Sequence, residues 1–200
     1  MPIVPSSYPT AAPSEQPSSA PTAFEIDNHV ALRRVYEAMG GASWTGGKNA
    51  NWMVGLPCED GWAGVDCTSS DSELPSAIVK LKLGRVGAVG TIPTEVGLLT
   101  DLDALWFSSN DLTGTVPSEL GLLGKANTVY ISKNSLEGTL PEELGNLSHL
   151  RHLLAYSNLL TGSLPTTLAS ITTISRLRVH DNEGLCGILP DFLHNVQELS

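Results

Sequence analysis

The chain has 200 residues, room for one ordered domain of ordinary size plus a tail. Its formal net charge of −10, from 11 basic and 21 acidic side chains, argues against a nucleic-acid backbone as main partner, because phosphate binding needs a basic surface. No apolar run approaches the ~20 residues of a membrane-spanning helix. The opening MPIVPSSYPT has neither the basic nor the apolar block of a secretory signal, so the expectation is an intracellular protein or a mature or partial chain.

Residues 1–23 are dominated by Pro, Ser, Thr and Ala. Such a segment buries too little apolar area to offset its ordering entropy, which predicts a disordered or semi-extended linker. Phe24, Ile26, Val30, Leu32, Val35, Tyr36 and Met39 then follow helical spacing, with Asp27 or Asn28 as N-cap and Gly40–Gly41 as the stop. The stretch to residue 77 holds Trp44, Trp52 and Trp62 with little periodicity. Residues 24–77 are expected to form a cap that covers the apolar end of whatever follows.

Three cysteines are too few for a disulfide scaffold. Cys58 and Cys67 bracket CEDGWAGVDC, a loop short enough for a disulfide, though two buried thiols fit equally well at this point. A lone C-x8-C pair is a poor zinc site, which wants four ligands. Cys186 has no evident partner and is expected as a buried packing residue.

Residues 78–200 repeat every 24 residues. Aligning Leu81, Leu105, Val129, Leu153 and Leu177 brings five copies into register, among them LWFSSNDLTGTVPSELG and VYISKNSLEGTLPEELG. A fixed period of this length means stacked units, each too small to bury its own apolar face. The leucine–x–leucine step predicts a short strand with Leu105 and Phe107, or Val129 and Ile131, pointing inward. Asn110, Asn134, Asn158 and Asn182 fall where the chain turns, and a buried carboxamide there can bond free backbone groups. Gly114, Gly138 and Gly162 permit a tight path, and Pro117, Pro141 and Pro165 precede a short helical return. In the first copy Val86 and Ala88 replace the Asn and Leu. The last copy, NEGLCGILP, carries one extra residue, so its convex side should bulge. Beyond Pro190, the spacing of Leu193, Val196 and Leu199 leads into another strand with no recognisable C-terminal cap, so the last layer is expected to be open or covered by something further.

The outward strand positions stack in columns about 4.8 Å apart. One column reads Lys82, Trp106, Tyr130, Leu154, Arg178; a second Gly84, Ser108, Ser132, Tyr156, His180; a third Lys80, Ala104, Thr128, His152, Arg176. Trp106, Tyr130, Leu154 and Tyr156 thus make an exposed aromatic and apolar strip, flanked by His152, His180, Arg176 and Arg178. Cross-strand packing alone could account for such rings. Aromatic plus arginine composition on an open face favours a ligand surface. The strand windows 79–85, 103–109, 127–133, 151–157 and 175–181 hold seven basic and two acidic residues, leaving four basic and nineteen acidic elsewhere. A locally basic face on an acidic molecule steers an anionic partner to that face.

The motif in LTDLDALWFSSNDLTGTVP resembles the plant-type leucine-rich repeat. The leader VALRRVYEAMGGASW…NWMVGLPCEDGWAGVDC is similar to the N-terminal cap of that family, with Cys58 and Cys67 at its disulfide positions. NEGLCG resembles an element near the last repeats of such ectodomains, although the second cysteine often found beyond it is absent. The resemblance covers residues 28–199. It implies a right-handed α/β repeat solenoid with a concave parallel sheet, a minor second sheet, short 3-10 or helical convex returns and a helical cap.

It also implies a recognition module without catalytic activity or cofactor, extracellular or membrane-anchored at the cell surface. Such a module would bind a protein, peptide or anionic glycan on its concave face, as a receptor or co-receptor ectodomain does. The alternatives are an inhibitor of a secreted hydrolase, similar to polygalacturonase-inhibiting proteins, and a structural or adhesion module. Asn146-Leu147-Ser148 is an N-glycosylation sequon, meaningful for a secreted chain. Ser132, His152 and Asp181 fall in non-matching columns of an open sheet, with nothing to exclude water, so no active site is expected.

Overall fold

The computed structural model describes residues 23–68, 76–186 and 198–199, with side chains for 28–68 and 76–186. The expected linker up to residue 22, and Pro190, Leu193 and Val196, lie outside the described residues.

The cap opens with a helix, Ala23–Ala38. It starts four residues before Asp27, so neither Asp27 nor Asn28 caps it, and Asn28 is buried inside it. Its inner face is Asn28, Ala31, Leu32, Val35 and Met39. These fall at i, i+3, i+4, i+7 and i+11, which leaves Val30 off the stripe and 42% exposed, contrary to expectation. Gly40, with φ of 66°, ends the helix as expected. Beneath it Tyr36, Trp44, Trp52 and Trp62 pack ring against ring, with centroids 5.0–5.7 Å apart. Each indole N–H finds a carbonyl: Trp44 donates to Met39 at 2.8 Å, Trp52 to Ala63 and Trp62 to Val54 at 2.9 Å. The irregular Trp-rich region is therefore a compact aromatic plug.

A seven-stranded sheet runs in chain order through Val65–Cys67, Ile78–Lys82, Ala104–Trp106, Thr128–Tyr130, His152–Leu154, Arg176–Arg178 and Glu198–Leu199. All neighbours are parallel except the first pair. That antiparallel cap strand, which the sequence pattern did not indicate, covers the sheet edge that Ile78–Lys82 would otherwise expose. Registers between 78 and 178 advance by 24 residues, pairing Leu81 with Leu105, Val129, Leu153 and Leu177 in turn. Five coils, here numbered one to five from Leu81, share one core of these residues with Leu83, Phe107, Ile131 and Ala155, all 0% exposed.

The asparagines close the turns. Asn110 accepts the Val86 and Ala88 N–H groups at 3.0 and 3.1 Å and donates to the Leu83 and Phe107 carbonyls at 2.8 Å. Asn134, Asn158 and Asn182 repeat this between later coils. Val86 and Ala88, the departures in coil one, are buried against this ladder.

Beyond each turn short strands pair into a two-stranded ribbon, Val89–Thr91 with Asp111–Thr113, and a three-stranded one of Glu137–Gly138, Leu159–Gly162 and Gly184–Leu185. Partners there are 22 residues apart until the last pair, where Gly184 faces Thr161 at a step of 23, the extra residue of coil five. Pro93, Pro117, Pro141 and Pro165 lead into the 3-10 helices Thr94–Leu98, Ser118–Leu122, Glu142–Asn146 and Thr166–Ser170 on the convex side. Cys186, expected in the core, is exposed. Leu185 packs against the core instead, and Cys186 is the residue after it.

Candidate ligand-binding face

The strand pairings align two of the three expected columns, and just beyond the strands the Arg85, Ser109, Lys133 and Ser157 N–H groups donate to the Ser108, Ser132, Tyr156 and His180 carbonyls, which aligns the column from Gly84 to His180. Within them the rings stack along the solenoid. Trp106 and Tyr130 lie 6.0 Å apart at 12°. The ammonium of Lys82 sits 5.6 Å from the centroid of the Trp106 ring, and it also pairs with Asp66 of the cap strand. In the second column Tyr156 and His180 stack at 4.7 Å and 9°, with the Lys133 ammonium 5.8 Å from the Tyr156 centroid. Four of the eight expected residues, Trp106, Tyr130, Tyr156 and His180, thus lie in two cation–ring–ring stacks offset by one column, each headed by a lysine outside the expected set, rather than in one continuous strip.

Between the stacks is a hollow of about 310 Å³. Trp106, Tyr130 and Leu154 form one wall, Tyr156 closes one end, and Gly84, Ser108 and Ser132 form the floor. The opposite wall is Arg85, Ser109 and Lys133. These three, with Ser157 and Asp181, hold φ of 53–61° at the same position of successive coils. A left-handed turn before each Asn is uncommon for non-Gly residues and aims the side chain at this rim. The sequence signal was available, because the residue preceding each Asn recurs every 24 positions. No Gly or Asn stood there to mark the conformation.

His152, Arg176, Arg178 and His180 do not line the hollow. His152 and Arg176 are paired neighbours in the third column. The His152 Nδ1 lies 3.3 Å from the Tyr130 hydroxyl. Burial first, then the positive charges of Arg176 and Arg151, hold the His152 pKa below its usual 6.5. His180 Nδ1 is 3.0 Å from the Asp181 carboxylate, to which Ser157 also donates at 3.1 Å. Ser132 shares a hydrogen bond with Ser108 at 2.9 Å. Ser132, His152 and Asp181 thus each have a different partner. Among the described residues no group of three or more His, Cys, Asp or Glu is placed to hold a metal ion.

Away from this face, Cys58 and Cys67 are joined in a disulfide, Cα to Cα 5.7 Å. Asn146 is exposed at the end of a convex 3-10 helix, with Leu147 buried and Ser148 exposed. No helix among the described residues is long and apolar enough to cross a membrane.

The family model for the Leucine Rich Repeat matches residues 126–147. No curated protein sequence matches the chain. Among solved structures the chain is similar to the BIR3–SERK2 complex from Arabidopsis thaliana, at 26% identity over 83% of this chain and 87% of that one, with a TM-score of 0.68. The BIR2 ectodomain from the same plant matches at 25% identity over 86% and 94%, with a TM-score of 0.67. The plant peptide hormone receptor RGFR1 in complex with RGF2 matches at 30% identity over 70% of this chain and 24% of that one, with a TM-score of 0.61. With its 24-residue repeat, its asparagine ladder and its disulfide-closed cap, the chain has the plant-type leucine-rich-repeat fold and resembles receptor-kinase ectodomains.

Proposed function

We propose that the chain is a non-catalytic recognition module that binds a polypeptide partner on its concave face, in the manner of a receptor or co-receptor ectodomain. The observation that carries this reading is the exposed Trp106–Tyr130 stack beside a hollow on a locally basic sheet. Rings and cations together on a rigid open surface are the composition of binding hot spots. The stacking also favours a polypeptide over a glycan. Trp106 has one face against Tyr130 and the other under Lys82, so it offers solvent an edge rather than the open face on which a sugar ring packs. A solved relative in fold, RGFR1, is a peptide hormone receptor in complex with RGF2, which supports the same choice.

The disulfide fits an oxidising compartment, and with it the cell surface. In that setting the exposed Asn146 is accessible for N-glycosylation on the convex side, away from the ligand. Mass spectrometry of secreted chain before and after deglycosylation reads this directly.

The function is tested by capture from a panel of immobilised secreted proteins and peptides, with a glycan panel in parallel. Trp106→Ala combined with Tyr130→Ala should abolish capture while lowering stability by only the ~0.5–1.5 kcal/mol of a stacked pair. Capture unaltered by the double substitution, or seen on glycans alone, overturns the reading. Raising the salt concentration should weaken capture, because the basic face is exposed to screening.

A further inference from the structure

The positive charge of the concave face is not spread evenly. Lys82 is neutralised by Asp66, on the strand that caps the sheet edge. Arg85 and Lys133, both exposed, form no ion pair among the described residues, and both stand on the rim of the same hollow. They sit two coils apart, roughly 10 Å at strand spacing, so two long side chains can converge on one group between them. The turn does not call for cations there: Ser109, Ser157 and Asp181 hold the same left-handed conformation in other coils.

Below them, Ser108 and Ser132 share one hydrogen bond at 2.9 Å. Whichever hydroxyl accepts keeps its own hydrogen free to donate upward. Two cations and a spare O–H meet over a hollow whose far wall is apolar. Its volume, about 310 Å³, takes one or two side chains and not a folded surface.

We propose that this hollow is a subsite for an acidic peptide segment. The carboxylate of a Glu or Asp side chain sits between Arg85 and Lys133, and an adjacent apolar residue lies against Tyr130 and Leu154. The proposal rests on the reading of the concave face as a peptide-binding surface and names the chemistry of one position on it. Charge-assisted hydrogen bonds supply the selection for a carboxylate over its amide.

The test is an NMR titration of the full ¹⁵N-labelled chain with three probes: blocked Leu-Glu-Gly peptide, its Leu-Gln-Gly analogue, and acetate. The Glu peptide should shift the amides of Arg85, Ser109 and Lys133 saturably, and bind roughly tenfold more tightly than the Gln peptide, the effect of about 1.4 kcal/mol. Acetate should bind more weakly than the Glu peptide. Arg85→Gln with Lys133→Gln should remove the preference for Glu without moving the thermal midpoint. Equal binding of Glu and Gln peptides, no shift at these amides, a preference that survives the double substitution, or acetate matching the peptide each overturns the subsite. The two readings fail separately. A panel ligand lost by the Trp106/Tyr130 variant and kept by the Arg85/Lys133 variant sinks the subsite and leaves the peptide-binding face standing.

Discussion

The Tyr130 hydroxyl and the His152 imidazole meet across adjacent coils, 3.3 Å from oxygen to Nδ1. Their contact lies beside Arg151 and Arg176, whose charges add to burial in holding the His152 pKa below 6.5. The folded chain therefore binds this proton less readily than the unfolded chain. Stability is complete above the unfolded value and is lost as pH falls from there through the folded-state pKa. His29, depressed by burial and then by Arg33, acts with the same sign. The urea midpoint should fall between about pH 7 and pH 6, before carboxylates titrate, and His152→Gln should flatten that slope. A slope identical in wild type and variant would mean that His152 is as easily protonated folded as unfolded.

Asn158 carries a different kind of load. Its Oδ1 accepts the Leu136 N–H, and its Nδ2 donates to the Ile131 and Ala155 carbonyls, all at 3.1 Å. Truncation to Ala leaves these backbone groups buried without partners, at a cost of roughly 1–3 kcal/mol. Because the stack is held by nearest neighbours, the damage should be local. Hydrogen exchange at the Leu136 amide should quicken more than at Leu81, three coils from Asn158 in the same core. Uniform acceleration at both would instead indicate loss through global unfolding.

The ladder explains why so much of the fold was legible in the chain itself. A 24-residue period forces Leu105, Val129 and Leu153 into register, and an Asn three residues beyond the second inward side chain has only backbone to bond. The columns of outward residues follow from that register. The cap was less legible, because its order comes from ring packing and not from period. The antiparallel strand Val65–Cys67 is not written in local spacing. At the candidate site the large residues Trp106, Tyr130 and Tyr156 stood out by chemistry. Arg85 and Lys133 did not, because only the left-handed turn sends them to the rim of the hollow.

The Cys58–Cys67 disulfide ties the loop between Trp52 and Trp62 to the cap strand, which also holds Asp66 against Lys82. Closing a loop of nine residues' separation restricts the unfolded chain by roughly 2–3 kcal/mol in the loop-entropy model. Reduction, or Cys58→Ser with Cys67→Ser, should lower the unfolding free energy by about that amount. It should also raise exchange at the Thr68 amide, which donates to the Ala77 carbonyl at 2.9 Å and reports release of the strand from the sheet edge. A reduced protein with an unchanged midpoint would place the strand's stability in its hydrogen bonds with Ile78–Lys82 alone.

Gly90 joins the cap helix to the first coil. It holds φ of 102°, and a Cβ built there overlaps the carbonyl oxygen of Ala38, backbone that cannot turn aside. The helix thus passes directly over this residue, and Val89 bonds back to the Met39 carbonyl at 3.2 Å. Gly90→Ala has both a disfavoured backbone conformation and a steric clash to relieve, so it should destabilise by more than the ~1 kcal/mol of a simple Gly-to-Ala conformational penalty. Gly124→Ala is the matched control. Nothing lies within 4 Å of a Cβ at that position, and it should be tolerated. The strain at Gly90 should be relieved by lifting the helix, which exposes Trp44 and Trp52 and shifts tryptophan emission to the red at temperatures below the main transition. Two variants that unfold at the same temperature, with no early fluorescence change, would show that the helix does not depend on this close approach.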